Sequence, residues 1–156
     1  MFIVAADTGG NTVASLAALD PKPGHKSIRL HQQGGAYIEG YRCGDCSAVF
    51  PEVSMACRAC ASRTPPDAFT ASETGKLYSW AVIHRSYPGV AVPFVSAVVD
   101  LDGGMTLKGT LREVDMAALR PGLAVRVVFD DAGGARDSQG APYVGFHFVP
   151  GEDANA

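Results

Sequence analysis

Tyr41-Arg-Cys-Gly-Asp-Cys-Ser-Ala-Val-Phe-Pro-Glu-Val-Ser-Met-Ala-Cys-Arg-Ala-Cys-Ala-Ser62 is the stretch from which the rest of the chain is read. It holds all four cysteines of the protein as two Cys-x-x-Cys pairs, Cys43/Cys46 and Cys57/Cys60, with ten residues between them. A Cys-x-x-Cys turn lets two thiolates reach one metal while the intervening amides point toward the sulfurs. Two such turns, joined by a hairpin through Ser47–Pro51 and Val53–Met55, complete a tetrahedron. Zinc suits four thiolates, so the expectation is one structural zinc on Cys43, Cys46, Cys57 and Cys60 in a rubredoxin-like ribbon. Iron takes the same ligands and stays open as the ion. Catalytic dithiols usually occur singly beside a βαβ pattern, which is missing here, and disulfides require an oxidising compartment. With all four positions filled by protein, none is left for water, so no catalytic zinc is expected.

Downstream of the ribbon, from about Phe69 to Pro150, the sequence reads as β throughout. Leu77–Arg85, Pro93–Leu101, Met105–Leu111, Leu123–Phe129 and Tyr143–Val149 are five strand candidates. Asp102-Gly103-Gly104 is a hairpin signal between the second and third, because these residues tolerate positive φ. Asp115 caps one helical turn, Met116–Leu119, closed by Pro121-Gly122. Five strands with a short helical element between the third and fourth fit an OB-type Greek-key barrel, the rival being a generic small β-sandwich.

Upstream, Asn11 or Thr12 can cap a short helix whose apolar positions are Val13, Leu16, Ala17 and Leu19, stopped by Asp20-Pro-Lys-Pro-Gly24. Ser27–His31 is a short strand candidate and Gln32-Gln-Gly-Gly35 a turn. The expected division is therefore an N-terminal arm over 1–40, the zinc ribbon over 41–64, the barrel over 65–150 and a tail over 151–156. The fold class is mostly β.

Composition limits the function. Of 156 residues, 47% are apolar and 19% charged, enough for a buried core, and 18 glycines with 10 prolines imply many turns. A net charge of −3 and a pI near 5.7 argue against a polyanion as the main partner, since nucleic-acid affinity leans on Lys and Arg. Met1-Phe-Ile-Val-Ala-Ala-Asp7 lacks a basic n-region and no stretch reaches the roughly 18 apolar residues of a membrane span. The expectation is a soluble cytoplasmic protein whose cysteines are reduced.

No catalytic pattern emerges: HExxH, GxSxG, a P-loop and GxGxxG are all missing. His84 and His147 fall in strand candidates, where a surface or hydrogen-bonded core role outweighs catalysis, and Asp100 and Asp102 flank a hairpin and suit turn chemistry. No catalytic residue is expected. Among the aromatics, strand alternation puts Tyr78 and Trp80 on one face. An OB barrel uses its outer face for ligands, but Lys76, Arg85 and Lys108 are the only cations near these rings, thin for a nucleic-acid groove.

Cys43-Gly-Asp-Cys46, Val49-Phe-Pro51, Cys57-Arg-Ala-Cys60, Gly75-Lys-Leu-Tyr-Ser79, Pro93-Phe-Val-Ser-Ala-Val-Val-Asp-Leu-Asp-Gly103 and Leu119-Arg-Pro-Gly122 follow one another in an order that resembles the proteins called domain of unknown function 35. The resemblance covers about residues 36–150. It implies a zinc ribbon followed by an OB barrel, in a non-catalytic accessory subunit of a thiolase-like or lipid-transfer-type enzyme. Such a subunit would stabilise its partner or touch an acyl-CoA. Members of this family commonly have a helix leading into the first knuckle, whereas Gln33-Gly-Gly-Ala-Tyr37 is not helical and residues 1–24 are additional. The alternatives of another class are an OB-type nucleic-acid-binding module and a stand-alone acyl-CoA-binding protein.

Overall fold

The computed structural model describes residues 19–152. The expected helix over 11–19 lies almost wholly outside them. Ten strands follow in chain order: β1 (Lys22–Pro23), β2 (Ile28–Leu30), β3 (Ala36–Arg42), β4 (Val49–Phe50), β5 (Asp67–Thr70), β6 (Thr74–Ile83), β7 (Phe94–Leu101), β8 (Thr106–Leu111), β9 (Ala124–Asp130) and β10 (Tyr143–Pro150).

The last five close on themselves. β6, β7 and β8 form an antiparallel meander, β10 lies parallel to β8, and β9 pairs antiparallel with both β10 and β6. This is the OB-type closed barrel, closed by a short β6–β9 pairing over Thr74–Lys76 and by the contact of Phe148 with Leu111 between β10 and β8. Alternation along β7 makes the inside: Val95, Ala97, Val99 and Leu101 are buried while the residues between them are half-buried or exposed. Phe148 and Leu77 join them at the centre.

The turn chemistry follows the sequence. Gly103 and Gly104 both have positive φ, 96° and 97°. Thr106 Oγ1 donates to Asp100 Oδ1 at 2.7 Å and Thr74 Oγ1 to Asp102 Oδ2 at 2.5 Å, so these two carboxylates clamp the hairpin. Asp115 caps the 3-10 turn Met116–Ala118, accepting the Ala117 N–H at 2.9 Å.

One reading is corrected. Tyr78 and Trp80 do not share a face, because β6 carries a β-bulge between Leu77 and Ser79. The inserted residue shifts the alternation by one. Tyr78 is left exposed, whereas Trp80 sits opposite the fully buried Ala97 and packs on the core.

A second, four-stranded sheet precedes the barrel, with β3 at its centre paired to β2, β4 and β5. Thus a strand, not a helix, leads into the first knuckle. β3 also joins the two sheets, for Ile38 is fully buried in the same core cluster as Leu77 and Phe148. Gly40 marks the closest approach: a Cβ there would lie 2.7 Å from Phe69 Cζ and 2.8 Å from Met105 Sδ. The segment before β2 is strapped to the barrel, with the Lys22 N–H donating to Pro142 O at 2.9 Å and the Gly24 N–H to Val144 O at 2.7 Å.

Candidate metal centre

Each Cys-x-x-Cys pair sits in a turn of the same design. In the first, the Cys43 N–H donates to Ala48 O (2.9 Å) and the Ser47 N–H to Cys43 O (2.9 Å). In the second, the Cys57 N–H donates to Ser62 O (2.7 Å) and the Ala61 N–H to Cys57 O (2.8 Å). Ser47 and Ala61 occupy equivalent places with φ of 62° and 61°. Two non-glycine residues held in this region mark turns that the surroundings enforce. The strand pairs β3–β4 and β3–β5 bring the turns face to face.

The result is a cluster of four sulfurs all within 4.8 Å of one another. Cys43 Sγ lies 3.8 Å from Cys60 Sγ and Cys46 Sγ 3.6 Å from Cys57 Sγ. These separations are far beyond a disulfide bond of about 2.05 Å, so the thiols are free. A tetrahedron of thiolates at about 2.3 Å from zinc has sulfur–sulfur edges of about 3.8 Å. The arrangement is therefore compatible with a zinc site, and the residues singled out from spacing are the ones the fold gathers. Cys43 is buried beneath the others, while Cys46 and Cys60 are exposed.

Electrostatically, this cluster calls for a cation. The Cys60 amide, with help from that of Ala59, draws the Cys57 thiol down to about 7. The Ser62 amide pulls Cys60 the same way, but the neighbouring Cys46, Cys57 and Cys43 sulfurs and desolvation outweigh it, and Cys60 is pushed up to about 12. Cys46 is also raised, against the pull of the Ala48 amide. Four thiols this close cannot all ionise unless positive charge is placed between them.

Side chains that the spacing did not reveal lock the two turns together. Asp45, inside the first pair, accepts from Ser62 Oγ and from Thr64 Oγ1 (3.2 Å), beyond the second pair. Glu52, in the loop between the turns, is ion-paired with Lys26 and with Arg58 at 3.0 Å. Ser27, fully buried, donates its hydroxyl to Pro51 O at 3.0 Å. A Ser, Thr or Asp beside a knuckle is too common in sequences to have flagged this clasp.

Away from the sulfurs, His147 is buried with Nδ1 2.6 Å from Asp130 Oδ2, and Arg112 reaches the same oxygen at 3.3 Å. Asp130 Oδ1 is held by the Ala132 N–H. Among the described residues no buried side-chain nitrogen or oxygen lacks a hydrogen-bond partner, and His147 takes the hydrogen-bonded core role, one of the two expected of it. Among the described residues no helix is long and apolar enough to cross a membrane.

Comparison with known proteins agrees with this geometry. The family model described as ChsH2, C-terminal OB-fold domain, matches residues 69–130. A DUF35 domain-containing scaffold protein of Methanocaldococcus jannaschii is 27% identical over 93 residues, 58% of this chain and 65% of that one. The benzoylsuccinyl-CoA thiolase subunit BbsA of Geobacter metallireducens is 32% identical over 90 residues, 56% and 60% respectively. A 3-oxo-4,17-pregnadiene-20-carboxyl-CoA hydratase alpha subunit of Mycobacterium tuberculosis is 37% identical over 68 residues, 43% of this chain but 22% of that protein. The chain thus spans from under a quarter to just under two thirds of these relatives' lengths. Among solved structures, the Ltp2-ChsH2(DUF35) aldolase superposes with a TM-score of 0.59 at 25% identity, covering 73% of this chain and 84% of that one. A ribbon of paired cysteine knuckles, a closed OB barrel directly after it and these matches together make the chain similar to the DUF35 proteins.

Proposed function

We propose that this chain is a non-catalytic accessory subunit of a thiolase- or aldolase-type enzyme complex that acts on CoA esters. The observation that carries the reading is the likeness, over 73% of this chain, to the Ltp2-ChsH2(DUF35) aldolase. A thiolase subunit and a scaffold protein among the relatives support it. In this reading Cys43, Cys46, Cys57 and Cys60 hold one structural zinc, the ribbon and the barrel are its two modules, and the setting is a reducing cytoplasm that keeps thiols free. Zinc would supply cross-linking alone, because four protein sulfurs fill a tetrahedral shell and leave no position for water. The bond-making residues belong to the partner, and this chain positions or completes the partner's acyl-CoA site.

The test is co-expression of the full chain with the thiolase- and aldolase-type subunits of its source organism. The expected result is a stable co-purifying complex, with turnover of a CoA ester that falls when this chain is omitted. A partner that is equally stable and equally active alone would refute the proposal.

A further inference from the structure

The loop between β6 and β7, residues 84–93, is exposed along its whole length. Three of its large apolar side chains face solvent, Tyr87 at 84%, Val90 at 47% and Val92 at 44%. Beside the loop lies an open cleft of about 510 Å3 walled by Val90, Pro93, Phe94, Leu111, Val114 and Met116. Met116, on the 3-10 turn across the cleft, is itself 45% exposed. At about 25 cal/mol per Å2, leaving such side chains in water is costly, and contiguous apolar patches on soluble chains mark contact sites.

The charge in the cleft narrows the occupant. Its lining has one cation, Arg112, and one anion, Glu113. Arg112 is already paired with Asp130 at 3.3 Å. A neutral lining with its sole cation engaged offers little to the phosphates of a nucleic acid or a CoA headgroup. A surface that inserts uncharged side chains matches this lining. Glu113 adds a mark of constraint, being held at φ 55° on the rim.

We infer that the β6–β7 loop and this cleft dock the catalytic subunit, receiving an uncharged apolar element of a folded thiolase- or aldolase-type protein. The inference rests on the reading of the chain as an accessory subunit and adds where the partner sits. Val90 and Met116 are its two anchors, with Tyr87 at the edge.

The test is the affinity of the full chain for the thiolase- or aldolase-type subunit of its source organism that co-purifies with it, measured for wild type, Val90→Asp and Met116→Asp. Met55→Asp serves as the control, since Met55 is a fully solvated apolar residue on the loop between the knuckles. Loss of an interface anchor raises Kd by roughly 30-fold or more. We expect that rise for both cleft variants and little change for the control. Val90→Ser and Met116→Ser make the same measurement should either aspartate lower the melting temperature. Wild-type affinity in all cleft variants overturns the inference and leaves the accessory-subunit reading standing. A chain that dimerises alone and becomes monomeric in the cleft variants assigns the surface to a second copy and likewise overturns it. Wild type that binds no such subunit overturns both.

Discussion

Gly40→Ala tests whether ribbon and barrel are one packed unit. Gly40 sits in β3, where the ribbon sheet lies against the barrel's β7–β8 hairpin. The added Cβ would meet Phe69 Cζ at 2.7 Å, Met105 Sδ at 2.8 Å and Phe69 Cε1 at 2.9 Å. All are closer than van der Waals contact allows. Phe69 is half-buried under the Arg42 guanidinium, 5.3 Å from its ring centroid, and has some room to yield. Met105 is buried and has little. Overpacking of this kind costs about 1–3 kcal/mol. For a chain of this size that is a fall in Tm of about 3–9 °C. Gly44→Ala is the control, because its Cβ would meet nothing within 4 Å. Restricting the unfolded chain there should leave stability level or raise it by about 0.4–1 kcal/mol. Thermal melts of both variants decide, together with Met105→Ala and the double variant, whose cost should fall short of the sum by about 1 kcal/mol. An unchanged melt for Gly40→Ala, or strict additivity with Met105→Ala, would refute the packing argument.

Elemental analysis should find about one zinc per chain, and Cys43→Ser should lose it while far-UV dichroism of the barrel persists; a metal-free wild type would defeat the assignment. Trp80→Ala removes a side chain packed on the core and should cost roughly 3 kcal/mol, whereas Tyr78→Ala, at an exposed position, should stay within about 0.5 kcal/mol; urea melts separate the two. Asp137 pairs with Lys22 and accepts the Ala141 and Gln139 amides, which together hold its carboxyl below the ordinary value of 3.8. A depressed folded value means a contribution present above 3.8 and lost as pH falls below it. Wild type should therefore melt above Asp137→Asn at pH 7, and the gap should close as pH drops through that region.

What could be read in the sequence was what local pattern carries. The cysteine spacing announces the knuckles because each turn is built from adjacent residues. The barrel strands announce themselves by alternation, as in β7, where every second residue points inward. β3 went unread for a physical reason. Its central position needs a glycine to let Phe69 and Met105 close in, and Gly40 beside Glu39 erases the apolar alternation that would mark a strand. The bulge at Tyr78 is invisible to a pattern of period two, which assumes that no residue is inserted. The cleft depends on residues 90 and 116 meeting across the barrel end, a juxtaposition that no spacing encodes.

The tie between ribbon and barrel explains why a metal-held module would suit an accessory role. Arg29 in β2 reaches Glu39 in β3 at 2.9 Å and the Tyr41 hydroxyl at 2.9 Å, pinning the hairpin that enters the first knuckle. Lys26 holds Glu52 between the knuckles, and Lys22 holds Asp137 beyond β9. One short segment, 22–29, therefore grips ribbon and barrel alike. Exposed pairs of this kind contribute little to stability one by one. Their effect is on geometry, since each limits how far the ribbon can swing relative to the barrel. Because Ile28 and Ile38 are fully buried in the common core, the knuckles stand on a strand anchored in the barrel. Loss of the metal would then fray the sulfur-bearing turns while leaving that anchor, separating the support that a partner needs from the core that keeps the chain folded.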